Sequence, residues 1–153
     1  VVHMTSYAPL LAKEKHTQWS PDLIYFNNRE VKPTTGYYVQ KLYGQNAGSH
    51  YIPSQIILDN QDNRVKLRIG SSIVRDSKTG DVIVKLVNLL PVSVETEIQL
   101  PGIGSVQPSA VRTVLVGAPE STPLPVTDTI EVGTNFKQQL PAYSFTVIRL
   151  KTK

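Results

Sequence analysis

The chain has no cysteine, one tryptophan, one methionine and no long apolar run. The missing thiols exclude disulfides, thiolate metal sites and cysteine nucleophiles, while leaving the compartment open. Without a stretch of about 20 apolar residues there is no bilayer-spanning helix to place, and no membrane partner is expected. Charged side chains make up 18% of 153 residues and apolar ones 40%, a balance that excludes disorder for the whole chain and fits one globular unit. The net charge of +4 comes from lysines and arginines spread along the chain. No basic groove with interleaved aromatics stands out, so no nucleic-acid partner is expected. His3, His16 and His50 lack the spacing of a metal site. No Gly-x-Ser-x-Gly elbow or phosphate-binding glycine loop occurs, and Gly102-Ile103-Gly104 lacks the third glycine of a dinucleotide fingerprint. No metal or cofactor is implied.

From Tyr51 onward, short strands with turn signals between them dominate. Val65, Leu67 and Ile69 alternate with Lys66 and Arg68, and Val94, Thr96, Ile98 and Leu100 alternate with Glu95, Glu97 and Gln99. Period two predicts strands with one buried and one wet face. Asp81 to Leu90 is almost continuously apolar apart from Lys85 and Asn88, which predicts a central strand. Gly80 is placed to take a positive φ and close a hairpin between Ile73-Val74 and Val82-Ile83. Breaks are expected at Pro91, at Pro101-Gly102 and across Ala118 to Pro125, because proline has no N–H for a ladder. The last strand is read as Tyr143 to Leu150, with a bulge or two-sided burial near Val147-Ile148. Seven or more strands with no helical pattern among them predict a mainly β fold, an antiparallel, jelly-roll-like β-sandwich over residues 51–153.

Residues 1–50 differ in character. Val1 to Tyr7 reads as a strand and Leu23 to Phe26 as a short apolar run. Tyr38 with Leu42 and Val39 with Tyr43 stand at helical spacing, which predicts a helix from Thr35 to Tyr43, capped by Thr34 or Thr35 and ended by Gly44. A short strand, a loop and a helix form a piece of an α/β unit placed ahead of an all-β region.

Asp59 to Asn63 starts like a calcium loop, but Arg64 stands where glycine is needed and Gly70 where glutamate is needed, so a polar turn is the reading. Glu95 and Glu97 lie two apart on one strand, within roughly 7 Å, close to glycosidase separations. On a strand with an apolar opposite face they read as a solvated surface. Tyr7, Trp19, Tyr25, Phe26, Tyr37, Tyr38, Tyr43 and Tyr51 gather the aromatics in the first third, where they serve a helix core or a sugar-stacking surface.

Met4-Thr5-Ser6-Tyr7-Ala8-Pro9-Leu10, Trp19-Ser20-Pro21-Asp22-Leu23-Ile24-Tyr25-Phe26-Asn27 and Tyr37-Tyr38-Val39-Gln40-Lys41-Leu42-Tyr43, in this order and spacing, resemble consecutive segments of α-L-arabinofuranosidases of glycoside hydrolase family 51. The closing run Leu140 to Leu150 is similar to the last strand of many accessory sandwiches. The resemblance implies that residues 1–50 are the terminal strand, loop and helix of a (β/α)8 barrel, and that residues 51–153 are the C-terminal β-sandwich behind it. It also implies a parent enzyme that removes terminal α-L-arabinofuranosyl groups with retention, using a glutamate after an asparagine and a second glutamate on a later strand. No Asn-Glu pair occurs here, and Glu14 and Glu30 match neither motif, so no catalytic residue is carried over and Val1 is expected to mark a cut through the barrel. Tyr7 and Trp19 are the candidate substrate-binding residues, at the barrel rim. The expected partners are the catalytic barrel of the same parent chain and, through it, an arabinose-containing glycan. Self-association is expected if the helix leaves an apolar stripe uncovered. A secreted or periplasmic place goes with a polysaccharide-degrading parent. The alternatives are a free-standing carbohydrate-binding module and a structural sandwich without ligand.

Overall fold

The computed structural model describes residues 6–118 and 121–152. The expected strand over Val1 to Tyr7 lies mostly outside them, and Ser6 and Tyr7 belong to no strand. Three short strands come first: β1 (Leu11–Lys13), β2 (Ile24–Phe26) and β3 (Val31–Pro33). β1 and β2 pair in parallel, Leu11 opposite Ile24, and β3 returns antiparallel on β2. A parallel pair needs a crossover instead of a hairpin, and residues 14–23 supply it.

The helix α1 (Thr35–Gln45) runs past the expected end. Gly44 lies inside it and does not take a positive φ. Termination falls to Asn46, whose Nδ2 donates to the Leu42 carbonyl at 2.9 Å and whose N–H reaches Tyr43 O at 3.2 Å. An asparagine side chain thus supplies the end signal expected from glycine. Thr34 occupies the N-cap with extended geometry but caps no amide; its hydroxyl donates to Leu23 O at 2.7 Å, so it ties the helix start to β2 instead.

Eight strands follow: β4 (His50–Ile52), β5 (Ile69–Arg75), β6 (Val82–Asn88), β7 (Val94–Gln99), β8 (Val106–Val116), β9 (Val126–Glu131), β10 (Asn135–Leu140) and β11 (Ser144–Thr152). They form a six-stranded sheet in the order β4-β5-β6-β11-β8-β9 and a two-stranded sheet of β7 and β10, every pair antiparallel. The chain therefore crosses between layers at each of β6→β7, β7→β8, β9→β10 and β10→β11, and the expected antiparallel sandwich is present. The β5–β6 hairpin closes as expected, with Gly80 at φ +77° and its N–H on Asp76 O at 2.8 Å.

One strand expectation fails. Arg64, Val65 and Lys66 lie on the one-turn helix α2 (Asn63–Lys66), and β5 begins only at Ile69. Asp62 accepts from Arg64 N at 2.8 Å and starts the turn, while Leu67 is 85% exposed. An N-cap aspartate outweighed a five-residue alternation too short to define a sheet face. The last strand shows two-sided burial from Ser144 to Ile148 with unbroken register through Leu150, and its irregularity comes later, between Leu150 and Thr152. Pro108 sits opposite that irregularity on β8, where a missing N–H is tolerated.

Two cores explain the two-sided burial. Val82, Val84, Leu86, Ile148 and Leu150 meet Ile98, Leu100 and Leu140 of the small sheet on one side. On the other side Ile83, Phe145, Val147, Leu115 and Val74 meet Leu42 of α1, with Tyr38 and Val39 packed alongside. The six-stranded sheet is thus the middle layer, with α1 as its outer cover. Tyr43 stacks on Phe145 with ring centroids 4.6 Å apart, and Tyr37 meets Tyr38 edge to face at 5.3 Å. The sheet buries Leu42 of α1, while Tyr43 stays 40% exposed.

Candidate functional site

The crossover of residues 14–23 leaves the C-terminal end of β1 and returns to the N-terminal end of β2. Trp19 rides on it, 68% exposed. Thr17 organises the loop beneath: its Oγ1 accepts from Trp19 N at 3.2 Å and lies 2.9 Å from Trp19 O and 3.0 Å from Asp22 Oδ2. Asp22 is completely buried, its N–H donates to the Tyr25 hydroxyl at 2.9 Å, and Leu23 beside it is buried too. Tyr7 reaches the same loop, its hydroxyl 3.5 Å from Pro21 O, the outer limit of a hydrogen bond. Trp19 thus lies on the crossover loop, and Tyr7, ahead of β1, touches that loop only at Pro21. Asp22 and Thr17 escaped sequence reasoning, since a lone aspartate after proline reads as a turn residue and nothing in the local pattern marks it as buried.

Glu14, Glu30 and Lys32 form a second polar group at the C-terminal ends of β1 and β2. Lys32 Nζ lies 2.8 Å from Glu14 and 3.0 Å from Glu30, and Asn27 Nδ2 donates to both carboxylates. Two carboxylates on one ammonium invite comparison with a glycosidase pair. Their titration argues the other way, since the Lys32 hydrogen bond, with help from Asn27, holds both carboxyls below the ordinary glutamate value. A retaining enzyme needs one carboxyl raised so that it is protonated before the leaving group departs. Glu95 and Glu97 fare no better. Both are exposed on β7, Glu95 pairs with Lys137 at 3.0 Å, and the Gln99 hydrogen bond leads in holding Glu97 low. Among the described residues, no group of three His, Cys, Asp or Glu side chains is arranged to hold a metal ion.

The family model of the α-L-arabinofuranosidase C-terminal domain matches residues 1–144. The chain belongs to that family. An extracellular exo-α-L-arabinofuranosidase of Streptomyces chartreusis is 51% identical over 55 residues, covering 36% of this chain and 7% of the relative. A probable α-L-arabinofuranosidase A of Aspergillus terreus is 35% identical over 107 residues, covering 69% of this chain and 16% of the relative. Among solved structures, an arabinose-bound MgGH51 α-L-arabinofuranosidase superposes with a TM-score of 0.83 at 32% identity, over 97% of this chain and 24% of the other. The family 51 resemblance of the sequence is thereby established, and the chain is the C-terminal domain of an arabinofuranosidase. It spans less than a quarter of the length of these relatives.

Proposed function

We propose that this chain is the non-catalytic part of its arabinofuranosidase, bracing a catalytic barrel that hydrolyses terminal α-L-arabinofuranosyl residues of arabinose-containing polysaccharides. One observation carries the reading: α1 directly continues the strand-and-loop segment, yet packs its apolar stripe into the second core of the sandwich. In the proposed division, residues 1–50 belong to the barrel and residues 51–153 to the sandwich. A helix shared between them would make the barrel's last unit and the six-stranded sheet one mechanical piece. Leu10, Leu11 and Val31 of the leading segment remain exposed, the apolar area that neighbouring barrel strands and helices would cover. Tyr7 and Trp19 are the proposed substrate contacts, because a furanose C–H face stacks on an aromatic ring, Trp19 is exposed, and the Tyr7 hydroxyl lies 3.5 Å from Pro21 O of the Trp19 loop.

The carboxylates of the chemistry are supplied by the rest of the parent in this reading. Incubation of the isolated chain with an aryl α-L-arabinofuranoside is expected to release no more phenol than buffer alone. Turnover that disappears in Glu14→Gln, Glu30→Gln or Glu95→Gln would overturn the non-catalytic assignment.

A further inference from the structure

We infer that Asp22 is a positioning residue for Trp19, acting through the Thr17 hydroxyl. The inference rests on the proposed role of Trp19 as a sugar contact and adds the device that orders it. An exposed indole on a ten-residue crossover would sample many orientations, and a stacking platform works only if its plane is fixed before the sugar arrives. The relay fixes the Trp19 backbone from which the ring projects. Asp22 Oδ2 accepts the Thr17 hydroxyl at 3.0 Å, the same oxygen of Thr17 accepts Trp19 N at 3.2 Å, and the Tyr25 hydroxyl accepts Asp22 N at 2.9 Å, so the loop is pinned to β2 from below. Thr17 carries one proton, and the two acceptors within reach, Asp22 Oδ2 and Trp19 O at 2.9 Å, both lie inside this loop.

The state of Asp22 itself argues that it is not there for stability. It is fully buried, and its Oδ1 has no hydrogen-bond partner among the described residues. A buried carboxylate with half its acceptor capacity unused is a poorer core residue than leucine of similar volume. Its position is explained by what Oδ2 holds in place. This resembles the buried group behind many binding side chains, which touches no ligand and fixes the orientation of the residue that does.

Trp19 is the one tryptophan of the chain, so its fluorescence reports this loop without interference. Time-resolved anisotropy of the full chain is compared in the wild type, Thr17→Val, Asp22→Leu, Asp22→Asn and the Thr17→Val/Asp22→Leu double variant, with circular dichroism as a control of folding. Thr17→Val and Asp22→Leu are each expected to raise the amplitude of fast indole motion about twofold. The double variant should show no more motion than either single one, because the two residues act in one chain of hydrogen bonds. Asp22→Asn keeps an acceptor for Thr17 and should match the wild type. Unchanged anisotropy in Thr17→Val, whose exposed side chain can be altered without disturbing the fold, would overturn the inference, and so would additive effects in the double variant. Failure of the sugar-contact reading is a separate result: a Trp19→Ala form of the whole enzyme with unaltered KM would remove the contact and leave the relay measured as above.

Discussion

Asn88→Ala is expected to destabilise the chain by about 4 kcal/mol, the largest effect of any single side-chain truncation proposed for it. Asn88 ends β6 and is fully buried between the two sheets. Its Nδ2 donates to Pro141 O at 2.8 Å and Val92 O at 2.9 Å, with Leu140 O at 3.3 Å, and its Oδ1 accepts from Leu90 N at 3.0 Å. One amide thus fastens the turn that leaves β6 for the small sheet to the turn that brings β10 back to β11. Alanine removes these bonds and leaves buried carbonyls unpaired, where each unsatisfied group costs about 1–3 kcal/mol. Asn88→Asp should be at least as damaging, because a carboxylate would face three carbonyl oxygens. Denaturant unfolding measures the loss, and a change under about 1 kcal/mol in Asn88→Ala would show that the layers are held by their apolar contacts alone.

Lys85→Ala is expected to cost about 3 kcal/mol and to loosen α1 from the sheet. Lys85 points from the middle of β6 into the helix side, is 4% exposed, and donates to Asn46 O at 2.7 Å, where the carbonyls of α1 end. Its ammonium also stands 5.7 Å from the Tyr43 ring centre. A cation at a helix C-terminus is electrostatically favoured there and also satisfies an acceptor that α1 cannot. Burial depresses its pKa below the free value. Between the depressed folded value and about 10.4 in the unfolded chain, the unfolded state binds more protons, so this contribution to stability rises with pH and is lost as pH falls through the folded value. The opposite sign comes from Tyr43, whose phenol burial pushes upward, so that its share declines above pH 10 or so. Comparing Tyr43→Phe with Tyr43→Phe/Lys85→Met isolates the lysine: the first should gain stability relative to the second as pH rises toward the free lysine value. Parallel pH profiles would mean that Lys85 is as solvated as a surface lysine.

These two residues show how far the sequence could be read. Lys85 and Asn88 stood out as the polar breaks in an apolar strand, and the strand was rightly placed in mid-sheet. Their roles were hidden because each partner comes from a distant segment, Asn46 in one case and Leu140-Pro141 in the other. The helix was legible from Tyr38, Val39, Leu42 and Tyr43, since a 3.6 period defines a stripe. A stripe does not name what covers it, and so the sheet's second core went unseen. Alternation misled at Val65 to Ile69, where Asp62 started a helical turn, and glycine misled at residue 44, where Asn46 ends the helix. Of the proposed contacts, Trp19 was legible as the one tryptophan and Tyr7 as part of the family-like segment. Asp22 was not, because burial in an irregular loop leaves no periodic trace.

The account turns on whether this domain completes a catalytic barrel whose carboxylates lie elsewhere in the parent. Reconstitution tests it most directly: the chain is mixed with the separately produced remainder of the enzyme, and hydrolysis of an aryl α-L-arabinofuranoside is followed as the chain is titrated in. The account predicts negligible turnover from either piece alone and saturable recovery on mixing, with recovery weakened by Leu42→Asp, which would strip α1 from the second core. Full activity of the remainder without this chain, or turnover by the chain alone, would contradict it.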